Sequence, residues 1–178
     1  HHARHRKTFG QYLIDQPVMR GVLADLSLES MAATALAFRI ANAYEKGQSD
    51  PTIENLSRLW TAVGKYWVCK RAPLAVTEGM ECHGGNGFVD PNLMARLYKE
   101  APLNSIWEGS GNVICLDVLR TLAKAPDMVR ICLEQLDEEC TGIPGAEGTA
   151  QRLRTRLSSP QPELEARLIV EEMALLLQ

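Results

Sequence analysis

An all-α fold, an up-down helical bundle, is predicted by three observations. Apolar and small residues recur at helical spacing through most of the chain. No stretch alternates convincingly with period two, so no sheet is expected. Two periodic segments of roughly 27 and 31 residues, each about 40–45 Å long as helix, are joined by a short break. Long helices with short connections imply antiparallel neighbours.

The first helix is predicted from about Val18 to Tyr44. Leu23, Leu26, Ser30, Thr34, Ala37, Ala41 and Tyr44 mark its face. Pro17 suits its first turn and Gly47 its C-terminal cap. Asp50 before Pro51 is a start signal for a second helix over about 52–82. Leu56, Leu59, Trp60, Val63 and Trp67 share one side of it. Pro73 is expected to kink or divide it. The break HGGNGF follows, then a short helix over about 91–101 and a longer one over about 109–124. Beyond Ala125-Pro126 the composition shifts: residues 127–178 carry ten acids and five arginines. This tail reads as a loop, TGIPGAEG, and two amphipathic helices over about 146–157 and 162–178.

A chain of 178 residues is one domain, or one domain with an appendage. The expected division is 1–125 and 126–178. An apolar share of 46% suffices for a core. No apolar run approaches the roughly 18–20 residues of a membrane span, so no membrane partner is expected. The N-terminal HHARHRKTFG is basic and lacks the apolar core of a secretory signal. Five cysteines form no CxxC and no metal-ligand spacing with histidine, so no metal site is predicted. The odd count argues for a reducing, cytoplasmic setting. The chain starts in a basic run and stops in mid-pattern at ALLLQ, as a fragment of a longer protein would.

Three segments carry candidate chemistry. In APLNSIWEGSGNVIC, Glu108 stands between Trp107 and the small residues Gly109, Ser110 and Gly111. A lone acid with an apolar neighbour on one side and bare backbone on the other suits a general base beside a flat cofactor. Taken alone, the plainer reading is a helix N-terminus, where acids, Gly and Ser serve as caps. The second segment is ECHGGNGF. It follows a helix, so it is no Rossmann fingerprint. Its glycines expose backbone N–H groups that can approach a phosphate or a ring, or they simply end a helix. The third is RKTFG. Arg6 could hold a phosphate with its guanidinium while Phe9 packs on a ring; alone it is a basic surface patch.

Together, in this order, the three segments resemble the C-terminal helical domain of the acyl-CoA dehydrogenase flavoproteins. RKTFG is similar to that family's R-x-x-F-G, ECHGGNGF to its Q-x-x-G-G-x-G-[FY], and IWEGSGN to its I-Y-E-G-T-x-x. E-C-x-G-G-N-G, I-W-E-G-S-G-N and L-D-x-L-R resemble the alkylation-response, AidB-type branch, which has extra helices after the dehydrogenase core. The resemblance implies a bundle of the acyl-CoA dehydrogenase type over 1–125 and those extra helices over 126–178. It implies that Glu108 removes the α-proton of an acyl-CoA thioester while a hydride passes to FAD. Burial against Trp107 and a bound acyl chain would strengthen that base. It places Ser110 near the FAD phosphates. Gly84, Gly85 and Gly87, with Arg6, Thr8 and Phe9, would reach the FAD of a neighbouring subunit, in a homodimer or homotetramer. Departures exist: Glu81 stands where the family has Gln, Pro17 and Ile114 where many members have Gln, and His83 where an apolar residue is common. His83 is expected to be a partly buried structural histidine. The acyl pocket of the family needs further domains, so this segment alone is expected to bind FAD weakly and to turn over nothing.

Two other classes compete. DNA binding, which the branch suggests, would use Arg152, Arg154 and Arg156 with Arg4 and Arg6. A net charge of −3, an acidic tail and arginines spaced two apart on a helix oppose it. An oligomerisation module with vestigial motifs is the third; an intact Glu108 argues against it.

Overall fold

The computed structural model describes residues 1–178. It is helical almost throughout, as the periodicity predicts. Nine α-helices carry the chain: α1 (His2–His5), α2 (Pro17–Gly47), α3 (Pro51–Glu81), α4 (Gly85–Phe88), α5 (Leu93–Glu100), α6 (Gly111–Lys124), α7 (Pro126–Cys140), α8 (Ala146–Leu157) and α9 (Ala166–Leu177). Short 3-10 turns lie at Leu13–Asp15, Ala101–Ser105 and Pro162–Glu165. The chain falls into two compact units. The first is residues 1–33 with 69–104, the second 34–68 with 105–178.

The second unit holds the core. Leu56, Leu59, Trp60 and Val63 of α3 are buried at the i, i+3, i+4, i+7 spacing of one helix face. Ile114, Cys115, Val118, Leu119 and Leu122 of α6 repeat the device. Leu153 of α8 and Ile169, Val170 and Met173 of α9 complete the cluster. Gly64 lets α2 and α3 approach: a Cβ there would sit 2.6 Å from Cδ1 of Ile40. Asp50 caps α3 by accepting from Thr52 N at 2.8 Å, with Pro51 in the first position. Asp50→Ala is expected to cost about 1 kcal/mol, read as a lower urea midpoint at unchanged slope.

Two differences from the sequence reading have physical reasons, and one open alternative is narrowed. Of the kink or division expected at Pro73, division does not occur: α3 runs unbroken for 31 residues. A proline removes one helical hydrogen bond and need not end a helix whose flanking turns are held; here Arg71 pairs with Glu29 of α2. A helix over 126–140 joins the two expected in the tail. Met128, Cys132, Leu136 and Cys140, four apart, are its buried stripe. The predicted absence of a sheet is corrected by an antiparallel hairpin. β1 (Lys7–Thr8) pairs with β2 (Gln11–Tyr12) in the register Lys7 to Tyr12 and Thr8 to Gln11. Two-residue strands are too short to show alternation. Their turn has positive φ at both central residues, Phe9 (51°) and Gly10 (82°), as a type I′ turn requires.

The membrane reading also changes. By length and composition α2 does qualify as a possible span, its charges being few and scattered along an apolar helix. Bundle helices pass the same measure. Two of its charged residues have protein partners: Glu29 pairs with Arg71, and Arg39 with Glu139.

Candidate functional site

The first unit brings Arg6, Thr8, Gly84 and Gly85 to one cavity of about 340 Å³, with His2, Glu81, Cys82, His83 and Asn86. The hairpin supplies one wall. Gln16 fixes it, donating from Nε2 to the Thr8 carbonyl (3.0 Å) and to Thr8 Oγ1 (2.8 Å). The C-terminal turn of α3 supplies the other wall. There the chain turns at Gly84, whose φ of 60° favours glycine. An added Cβ on Gly84 or Gly85 would meet nothing within 4 Å, so their backbone is open to a ligand. Gly87 differs: it is buried, and a Cβ there would lie 2.2 Å from the Met80 carbonyl oxygen. Its smallness serves the seating of α4 on α3. Phe9, at the hairpin tip, is 99% exposed and does not line the cavity.

His83 is partly buried, as expected, and its Nδ1 lies 2.8 Å from the Gly79 carbonyl oxygen. Its ring lies 4.4 Å from that of His2. Burial, and then the charges of His83 and Arg6, hold His2 below the usual imidazole range. Glu81 is the one acid lining the cavity.

The second unit holds Glu108 and Ser110. Ser110 is the N-cap of α6 in extended conformation, and its hydroxyl makes no capping bond. Glu108 lies two residues before that cap, outside the helix. The first turn of α6 contains no acid, so capping does not account for Glu108. Its backbone is left-handed, φ 54°, followed by Gly109 at φ 102°. A non-glycine residue in this region is uncommon and costs energy. Sequence reasoning missed the residue that holds this turn. Lys65 of α3 donates from Nζ to the carbonyl oxygens of Trp107 (2.8 Å) and Gly109 (2.6 Å), on either side of Glu108. The available signal was a lysine in the most buried stretch of α3, between Gly64 and Tyr66. Within this chain Glu108 and Trp107 are both exposed, Trp107 by 57%. The indole and carboxylate are sequence neighbours on a turn, and this chain provides no wall over them.

Three of the five arginines considered for DNA, those of the tail, are engaged internally. Arg152 pairs with Glu172 (3.0 Å), Arg154 with Asp137, and Arg156 with Glu165 and Glu172. Glu172 is buried and bridges α8 to α9. All five cysteines are free thiols, and no cluster of His, Cys, Asp or Glu has the makings of a metal site.

This is a helical domain presenting a glycine-lined cavity and a strained acidic turn, a class that comparison with known proteins defines further. The model of the acyl-CoA dehydrogenase C-terminal domain matches residues 1–123, and the chain belongs to that family. AidB of Escherichia coli (strain K12) is 40% identical over 176 residues, covering 99% of this chain and 32% of AidB. Acyl-CoA dehydrogenase family member 11 of Caenorhabditis elegans is 34% identical over 121 residues, covering 66% of this chain and 20% of that protein. Among solved structures, Bd2924 in its apo form superposes with a TM-score of 0.87 at 29% identity, covering 97% of this chain and 34% of Bd2924. Caenorhabditis elegans ACDH-11 in complex with C11-CoA gives 0.84 at 27%, covering 98% of this chain and 33% of ACDH-11. The AidB likeness continues past residue 123, where the family match ends, through the tail. The chain spans about a third of the length of AidB.

Proposed function

We propose that this chain supplies the catalytic base and part of the FAD-binding surface of an acyl-CoA dehydrogenase-like oxidoreductase, the whole protein being the enzyme. The observation that carries the reading is Glu108, presented on a left-handed turn outside the helix that would otherwise explain it. FAD, when bound, accepts the hydride. Glu108 takes the proton from the carbon next to the thioester carbonyl, and the β-hydrogen departs with its electron pair as the double bond forms. Exclusion of water from that carboxylate falls to the acyl chain and to parts of the protein outside this segment. The relative solved with C11-CoA supports a fatty acyl thioester as the substrate class.

The cavity of the first unit fits a dinucleotide phosphate: Arg6 offers a charged fork, Thr8 a hydroxyl, and Gly84 and Gly85 unobstructed backbone. Ser110, with an uncommitted hydroxyl at the start of α6, suits an anion at a helix N-terminus. An anion in the cavity raises the affinity of the neighbouring His2 for its proton, so phosphate binding strengthens as pH falls toward the lowered titration range of His2. A cytoplasmic setting is supported by the five free thiols. Assembly as a homodimer or homotetramer is supported by the exposed apolar side chains Phe9 and, on α2, Val18, Leu28 and Met31, large apolar groups of the kind that a partner surface covers. Binding of DNA is disfavoured by the ion pairs of Arg152, Arg154 and Arg156.

The test is flavin content. The full-length protein is expected to purify with one FAD per chain. Arg6→Ala should weaken FAD binding about 10- to 100-fold, the size of a lost charge-assisted hydrogen bond. A full-length protein that neither retains nor rebinds FAD contradicts the reading.

A further inference from the structure

The turn that carries Glu108 lies outside regular helix, between the 3-10 turn ending at Ser105 and the start of α6 at Gly111. Two successive positive φ values, at Glu108 and Gly109, hold it in a conformation that an unrestrained chain would seldom keep. One side chain spans it. The Lys65 ammonium reaches the carbonyl oxygens of residues 107 and 109, and so ties together the two peptide units that flank the strained residue. An ammonium has three donors and no acceptor, so it can satisfy both carbonyls at once.

Lys65 is itself well placed. On one side of it, Val63 is fully buried and Gly64 packs against Ile40. On the other, Tyr66 is 1% exposed; its hydroxyl donates to Oε1 of Glu171 (2.7 Å) and accepts from Nε of Arg167 (3.0 Å), both on α9. Burial pushes the Tyr66 hydroxyl up to about 12, so it remains a donor across the working range. The turn of α3 from which Lys65 projects is thus fastened to the core before and after it.

We propose that Lys65 is the positioning residue of the Glu108 carboxylate, holding the left-handed turn in place through the carbonyls of Trp107 and Gly109. It touches no reacting atom. The proposal rests on Glu108 being the base, and a misplacement of about 1 Å at a reacting group can cost about 100-fold in rate.

The test uses the full-length, FAD-loaded protein and the variants Lys65→Met, Lys65→Gln and Lys65→Arg beside Glu108→Gln. Three quantities are read: flavin reduction at saturating acyl-CoA, the apparent Kd of the thioester, and amide exchange of residues 106–112 without substrate. Lys65→Met is expected to slow reduction roughly 10- to 100-fold, with the thioester Kd within about twofold and flavin content unchanged. Exchange over 106–112 should accelerate in the same variant. Lys65→Arg, which keeps a multidentate cation, should recover most of the rate and protection. If Lys65→Met does not fold, Lys65→Gln, with a single amide donor group, is expected to show the same changes in smaller measure. Wild-type exchange over 106–112 in the neutral variant overturns the clamp, as does a rate loss no larger than the loss of folded flavoprotein. Undiminished reduction in Glu108→Gln overturns the base reading instead, and the exchange result then still decides whether Lys65 holds the turn.

Discussion

Glu108→Gln is expected to stop flavin reduction by acyl-CoA while leaving the protein folded and its FAD bound. The carboxylate is exposed and takes part in no ion pair, so nothing in the fold depends on its charge. A surface change of this kind shifts stability by about 0.5 kcal/mol or less. The amide keeps the shape of the side chain and removes its ability to take a proton. Since a positioned base contributes about 10²–10⁴-fold, the reduction rate in anaerobic stopped-flow should fall by at least that range, with the thioester affinity little changed. Loss confined to the chemical step would mark an interaction made in the transition state. Parallel loss of flavin or of the melting temperature would instead mark a structural role.

The second large effect is expected at Gly87. A methyl group there would stand 2.2 Å from the Met80 carbonyl oxygen, 3.1 Å from its carbon and 3.0 Å from Cβ of His83. Two of these three obstacles are backbone, so relief requires the Gly84–Phe88 segment to lift from the end of α3. The cost is on the order of 3 kcal/mol, the upper part of the range for overpacking, and the wall of the cavity proposed for FAD moves with it. Gly87→Ala should lower the melting temperature and release FAD together. Gly85→Ala is the control. Nothing lies within 4 Å of its added Cβ, so the fold should be indifferent, and any loss of FAD would report direct contact with the cofactor. Equal effects in the two variants would show that packing at Gly87 is unimportant.

Helix boundaries followed closely from the sequence because the strongest signals sat at the ends: Pro17 and Gly47 bound α2, and Asp50-Pro51 opens α3. The hairpin at Lys7–Tyr12 was invisible because its one signal, a turn with two positive φ values, used Phe at a position where Asn, Asp or Gly usually advertises it. Arg6, Thr8, Gly84 and Gly85 were legible as motif residues, yet their convergence on one cavity depends on Gln16 fastening the hairpin, a contact between side chain and backbone that no spacing reveals. Gly87 was read as open backbone by its motif, and its tight seating on Met80 needed coordinates. Lys65 stands 43 positions before Glu108 in sequence, so its role was out of reach of any local pattern. The tail arginines looked available because charge along a sequence says nothing of partners; Glu172, buried between α8 and α9, takes two of them.

The central claim, that Glu108 serves as base at a flavin, is tested most directly by anaerobic titration of the full-length FAD-loaded protein with acyl-CoA thioesters of increasing chain length. Bleaching of the oxidised flavin band by at least one thioester, with stoichiometric formation of the α,β-unsaturated product, is the predicted result. Tightly bound flavin that no thioester bleaches would contradict it.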